Sequence, residues 1–210
     1  RRGNRWEIFI AKTSVEGIDE FSLALRRAVC LKPPRGRIWA DPFIVQRDDG
    51  VFLFFEDVGY REKKGKISYL RLDENASVID YGVALEREFH LSYPFLLEDG
   101  DELFMIPEAS ESRKVSLYRC VDFPGQWEHV TDILDDLSAS DSTVLRRDGK
   151  YWLFSNIDRN ESGNPNYELH VFWAESLDGP WIPLQDNPVV IDASTARMAG
   201  GFIEDRDGGL

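Results

Sequence analysis

The sequence predicts an all-β fold, a five-bladed β-propeller with four-stranded antiparallel blades, incomplete in a chain of 210 residues. Three observations predict it. The chain repeats itself at a period of about fifty residues. Within each repeat, the residue that opens the first strand and the one that closes the second stand 15 positions apart, although the spacing between repeats drifts from 52 to 48. No segment sustains the apolar period of a helix. A β-sandwich is the main alternative, and it gives no reason for the constant offset.

The first strands align without gaps at Asp41, Tyr93 and Asp141, in WADPFIV (39–45), SYPFLL (92–97) and SDSTVL (140–145). Each runs into an acidic, glycine-containing turn: Asp48-Asp49-Gly50, Glu98-Asp99-Gly100-Asp101 or Arg147-Asp148-Gly149. Such turns suit tight hairpins, where glycine supplies positive φ. The returning strands FLFFE (52–56), FMIPE (104–108) and WLFSN (152–156) are aromatic and apolar, as buried strands are, and end in Glu56, Glu108 and Asn156. Third strands at KISYLRL (66–72), KVSLYRC (114–120) and ELHVFWAE (168–175) alternate apolar and polar residues. Fourth strands are expected at VALERE (83–88), WEHVTDIL (127–134) and WIPLQ (181–185), with Trp127 and Trp181 in matching places. At the ends, WEIFIAK (6–12) reads as a third strand, ALRRAVCLK (24–32) as a fourth, and Arg197–Glu204 as another first strand entering a turn at Asp205–Gly209. Residues 1–210 thus read as a single propeller domain, a segment of a longer multidomain protein.

Composition narrows the function. Lys and Arg total 25 against 38 Asp and Glu, a net charge of −13, which repels phosphate backbones and argues against a nucleic-acid partner. Apolar runs such as Val51 to Phe55 are far shorter than the roughly 20 residues of a transmembrane helix. With no apolar leader in the sequence given, a cytoplasmic location is the default expectation. Cys30 and Cys120 read as free, buried thiols. Asn75-Ala76-Ser77 and Asn160-Glu161-Ser162 match the glycosylation triplet, a pattern too common to weigh heavily.

In a hairpin, the residue opening one strand and the residue closing the next lie at the same end. Asp41 therefore neighbours Glu56, Tyr93 neighbours Glu108, and Asp141 neighbours Asn156. If the first strands surround an axis, these six side chains and Arg197 form one ring at its mouth. Facing carboxylates, one ionised and one kept protonated, are what glycoside cleavage requires. Aromatic residues at 12% offer faces for sugar rings to stack on, although packed core aromatics are the commoner explanation.

WADPF, HLSYPF with His90, IPE, and SDSTV with WLFSN resemble the N-terminal domain of plant glucosamine inositolphosphorylceramide transferases and its bacterial relatives, over nearly the whole chain. That domain is similar in turn to the five-bladed propellers of family-43 and family-32 glycoside hydrolases. The resemblance implies that Asp41, before Pro42, stands at the base or nucleophile position, that Asp141 orients and tunes, and that Glu108 is the best-placed acid. Tyr93 stands where a hydrolase has an Asp, and the usual surroundings of the acid are not reproduced. In the transferases the glycosyl-transfer chemistry is expected in a separate C-terminal domain, which makes glycan holding the alternative role.

The catalytic candidates are thus Asp41, Glu108 and Asp141, and the substrate-binding candidates Glu56, His90, Tyr93, Asn156 and Arg197. The expected ligand is a glycan or glycoconjugate, and the expected partners are other domains of the same polypeptide. The bland readings are that Asp41 caps a turn and that Glu56, Asp57 and Glu108 are solvated rim charges or partners for Arg197. His129 and His170 read as structural. Three scattered His and two separated Cys give no zinc-like spacing, so no cofactor is expected. An acidic channel offers oxygens of the kind calcium takes, but Asp205-Arg206-Asp207-Gly208 lacks the later bidentate Glu of a calcium loop. A protein-docking propeller ranks last and would show an apolar patch in place of a polar mouth.

Overall fold

Period-2 alternation and tight turns organise the chain into successive antiparallel sheets in a computed structural model that describes residues 6–12, 24–159 and 164–202. A short pair, β1 (Ile8–Ile10) with β2 (Val29–Leu31), comes first. Next is the sheet β3 (Arg37–Arg47), β4 (Gly50–Gly59), β5 (Gly65–Leu72), β6 (Val78–Leu85). It is followed by β7 (Ser92–Asp99), β8 (Glu102–Glu108), β9 (Lys114–Asp122), β10 (Gln126–Asp135). The last sheet holds β11 (Ala139–Arg147), β12 (Lys150–Ile157) and β13 (Glu168–Ala174), with β14 (Ile182–Pro183) and β15 (Val190–Ile191) both pairing β13. Apart from β15, which returns to β13, strands adjacent in sequence within a sheet pair with one another, so each sheet is a meander.

The continuous apolar runs of the second strands have a direct explanation, because both faces of each are covered. On β4, Phe52 and Phe54 join an apolar layer with Leu103, Met105 and Trp127, while Leu53 and Phe55 point the other way, into a layer with Ile8, Leu31 and Trp39. On β8 the same alternation sends Leu103 and Met105 to the first of these layers, and Phe104 and Ile106 to a third, with Val144, Leu153 and Phe172. Each layer lies between consecutive sheets, and the first strands β3, β7 and β11 pack beside one another in that order. At the β11–β12 hairpin, Arg147 pairs Lys150 around Asp148 and Gly149, whose φ values of 53° and 74° suit the two-residue turn that follows the strand twist.

Several expectations are corrected at the edges. The fourth strand of the first full sheet is Val78–Leu85, starting earlier than 83–88, because β5 must turn back at once at Asp73–Ser77 to pair with it. WIPLQ contributes only the two-residue β14, and β15 shares its edge. Residues 24–26 are helical, so only the end of ALRRAVCLK is a strand. Residues 197–202 form no strand, while 203–210, including the expected turn, lie outside the described residues, as do 160–163 with the whole of the second glycosylation triplet. Both cysteines are free, but they are half-buried where full burial was expected. No helix among the described residues is long and apolar enough to cross a membrane.

Candidate functional site

The three anchor positions share one backbone device. Ladder pairing breaks between Ala40 and Phe43, between Ser92 and Phe95, and between Ser140 and Thr143, so two residues on each first strand oppose one on the second. The first residue of each β-bulge has positive φ: Asp41 at 50°, Tyr93 at 41° and Asp141 at 50°. This left-handed conformation costs a non-glycine residue about 1–2 kcal/mol. Glycine would relieve that strain, yet an Asp, a Tyr and an Asp occupy the positions. Bulges re-aim side chains, and here three of them do so at equivalent places in three sheets.

The second strands close beside them. Glu56 pairs Ala40, Glu108 pairs Ser92, and Asn156 pairs Ser140, one residue before each bulge, which is the structural origin of the 15-residue offset. The Tyr93 backbone N–H favours the ionised Asp41 carboxylate, and the Asp141 N–H donates to Glu108 Oε2 at 3.2 Å, which ties bulge to acid across neighbouring sheets. Arg197 bonds the Asp141 carboxylate through Nε and reaches Asn166 Oδ1 at 2.7 Å through Nη1.

Burial and mutual repulsion set the charge states. Burial, reinforced by Glu56 and Asp141, raises the Asp41 pKa to about 6. Burial, Asp141 and the hydrogen bond with its carboxylate raise that of Glu108 to about 7. Arg197 draws both downward but does not prevail. Both carboxyls therefore keep their protons to higher pH than ordinary carboxylates do.

His90 is anchored from two sides. The Gly65 N–H donates to Nδ1 at 3.0 Å, which requires that nitrogen unprotonated, and Nε2 lies 2.9 Å from Glu56 Oε1. Glu56 pulls the His90 pKa up, while Gly65 holds the Nε2–H tautomer. A Cβ at Gly65 would come within 2.5 Å of the Leu91 carbonyl oxygen and 2.9 Å of the His90 ring. Gly65→Ala is therefore expected to swing the imidazole off Glu56, and NMR titration should show the His90 pKa moving back down towards its ordinary value. An unchanged titration would mean that Gly65 does not set the ring.

The other predicted residues divide. Tyr93 is buried, its hydroxyl meeting Thr143 Oγ1 at 2.9 Å and donating to the Gly200 carbonyl at 3.1 Å, and burial holds its phenol up to about 12. Asn156 is fully buried; its Nδ2 donates to the Glu168 and Ala196 carbonyls and its Oδ1 accepts from the Met198 N–H. Both side chains are committed to protein partners, and Asn156 holds the backbone on either side of Arg197. Asp57 is neither a rim charge nor a partner of Arg197: it is fully buried and accepts from Arg37, Trp39, Ser68 and Tyr81. Sequence reasoning passed over Gly65, Asn166 and Glu111, which accepts the His90 N–H at 3.2 Å. Only Gly65 left a signal, as a glycine opening a strand. His129 and His170 bond Asp132 and Glu168 and stand outside the cluster. Among the described residues no group of three or more His, Cys, Asp or Glu is placed to hold a metal ion.

Meander sheets stacked through apolar layers, with first strands side by side, define a β-propeller-like fold. The chain is similar in fold to a thermostable family-43 glycoside hydrolase (TM-score 0.56, 14% identity, covering 81% of this chain and 62% of that one). It is similar also to Zg3597, a family 117 glycoside hydrolase produced by the marine bacterium Zobellia galactanivorans (TM-score 0.61, 14% identity, 89% and 63%). Residues 33–206 match the family described as glucosamine inositolphosphorylceramide transferase 1, N-terminal, and the chain belongs to it. Glucosamine inositolphosphorylceramide transferase 1 of Oryza sativa subsp. japonica is 33% identical over 187 residues, and that of Arabidopsis thaliana 33% over 151, covering 86% and 71% of this chain. The chain spans 25% of the length of the rice protein and 20% of the Arabidopsis one.

Proposed function

We propose that the chain is a glycan-binding propeller module of a larger glycan-modifying protein, holding a glycan or glycoconjugate over the acidic cluster at the axial mouth of a five-bladed ring. The observation that carries this reading is the convergence of Asp41, Glu56, Glu108 and Asp141 with His90 and Arg197. Sugar hydroxyls donate and accept at once; ionised carboxylates accept from them, and a neutral carboxyl, an imidazole N–H or a guanidinium donates to them. Binding is favoured over cleavage because the Glu108 carboxyl is already hydrogen-bonded by Asp141, and Arg197 is bonded to the Asp141 carboxylate. The names of the plant relatives support a glycoconjugate as the ligand. Family-43 likeness over three consecutive sheets supports five blades in the complete ring.

Hydrolysis is the second reading, with Asp41 as base, Glu108 as acid and Asp141 orienting. It is favoured by the raised pKa values of about 6 and about 7 on the two acting groups.

Calorimetric titration of the full-length protein with a panel of glycans, wild type against Asp41→Asn, followed by product analysis, separates the readings. The expected result is binding of at least one glycan, weakened roughly tenfold or more in the variant because a charge-assisted hydrogen bond is lost, with no product. Product formed by wild type alone establishes hydrolysis, and absence of any binding overturns both.

A further inference from the structure

A polar pocket lies at the end of β3 that leads into the Asp41 bulge. It encloses about 280 Å³ and is lined by Trp6, Lys32, Arg35, Arg37 and Tyr60, with Glu7 and the Pro33-Pro34 pair completing the wall. Its composition runs against the rest of the molecule. In a chain of net charge −13, Lys32, Arg35 and Arg37 line this pocket beside Glu7, and of the three only Arg37 is met by carboxylates, Asp57 and, at 3.9 Å, Glu62. Among the described residues Lys32 and Arg35 are exposed and have no carboxylate partner, unlike most of the cations on the sheets. Arg37 is anchored through Nε to Asp57 at 2.5 Å, and its Nη2 has no hydrogen-bond partner.

The aromatic residues are equally out of place for a core. Trp6 is 62% exposed and Tyr60 56% exposed, although both line the same pocket. Tyr60 is fixed by its N–H donating to the Gly36 carbonyl at 2.9 Å, and Arg37 N–H donates to the Pro34 carbonyl at 3.1 Å, so the loop carrying Arg35 is braced against the end of β4. Exposed aromatic faces next to unpaired cations suit a pyranose that carries a negative charge: the ring stacks, and the anion meets the cations.

We propose that this pocket binds the anionic group of a glycan, a sugar phosphate or a uronic acid carboxylate, with Lys32 and Arg35 pairing the anion and Trp6 and Tyr60 contacting the sugar. It deepens the glycan-binding reading and rests on it for the sugar. Arg37 connects the two regions, since Asp57, its partner, follows Glu56 of the acidic cluster on β4.

The test titrates the full chain at low salt with glucose 6-phosphate, glucuronic acid, glucose and inorganic phosphate, read by calorimetry and by tryptophan fluorescence. A charged sugar is expected to bind roughly tenfold or more tighter than glucose, and to lose that advantage in Lys32→Ala/Arg35→Ala, whose exposed positions leave the fold intact. Trp6→Ala is expected to weaken the charged sugar and leave inorganic phosphate unchanged. The tighter of the two charged sugars assigns the source of the anion. Equal affinity for glucose and both charged sugars, or unchanged affinity in the double variant, overturns the pocket; inorganic phosphate binding as tightly as the sugar phosphate overturns its sugar component. Asp41→Asn keeps the two sites distinguishable: charged monosaccharide binding is expected to survive there, so loss of neutral-glycan binding alone counts against the acidic cluster and not against this pocket.

Discussion

Replacing Asp57 with alanine is expected to remove about 3–5 kcal/mol of unfolding stability, the range for breaking a buried ion pair from one side. The carboxylate is fully buried, and four side chains from three strands of one sheet converge on it. Arg37 Nε donates at 2.5 Å and Trp39 Nε1 at 3.2 Å, both to Oδ1, while Ser68 Oγ at 3.0 Å and Tyr81 Oη at 2.7 Å donate to Oδ2. Alanine would leave a mostly buried guanidinium with only the exposed Glu62 carboxylate 3.9 Å away, and would take the acceptor from an indole N–H and two hydroxyls. Arg37→Leu/Asp57→Leu removes both charges together and should recover the part of the loss due to the abandoned guanidinium, while the indole N–H and the two hydroxyls stay without their acceptor. Guanidinium denaturation of the single and double variants measures this directly. A loss below about 1 kcal/mol in the single variant would show that the network does not hold the sheet.

Glu108→Gln is expected to do the opposite, stabilising the protein above neutral pH while weakening glycan binding. Burial and Asp141 raise the Glu108 pKa from 4.5 to about 7, and burial with Glu56 and Asp141 raises that of Asp41 from 3.8 to about 6. The unfolded chain releases both protons in the ordinary carboxylate range, whereas the folded chain keeps them longer. Between about pH 4 and 7 the folded state therefore binds more protons, and stability falls as pH rises through this window before levelling off above it. The melting temperature of the wild type should decline from pH 5 to pH 8. In Glu108→Gln the slope should shrink and the melting temperature at pH 8 should exceed that of wild type, because a neutral amide need not lose a proton. A wild-type melting temperature that rises over this range would remove the buried-acid account. On the far acid side the sign reverses: despite burial, hydrogen bonds from Lys114, His129 and Ser116 hold Asp132 down at about 2, and that contribution is lost only as pH falls through this value.

These two carboxylates illustrate how legible the site was. Asp41, Glu56, Glu108 and Asp141 could be named from the repeat, because hairpin geometry puts the ends of paired strands together whatever the rest of the chain does. Their company could not. Glu56 and Asp57 are adjacent carboxylates late on one strand, yet Glu56 meets His90 in the cluster while Asp57 turns to Arg37 inside its own sheet. Alternation says that neighbours on a strand face opposite sides; it does not say which side is the site. Asn156 aligns with Glu56 and Glu108 but bonds the backbone of residue 168 on the next strand and of residues 196 and 198, the last two supplied by a segment 40 and 42 positions away.

What the sequence by itself determined was local and periodic. It specified the hairpins, through acidic glycine turns and period-2 runs, the equivalence of Asp41, Tyr93 and Asp141, and the family resemblance that residues 33–206 bear out. These are readable because turn chemistry and alternation act over a few residues. The tertiary structure alone decided that the three equivalent residues sit at strained bulges, that Arg197 pairs Asp141 across 56 positions, that the outer strands shift or shorten, and that Asp41 and Glu108 keep their protons towards neutrality. Each depends on which surfaces are removed from water when separate sheets pack, and desolvation belongs to the assembled neighbourhood of a group, not to the residues on either side of it in the chain.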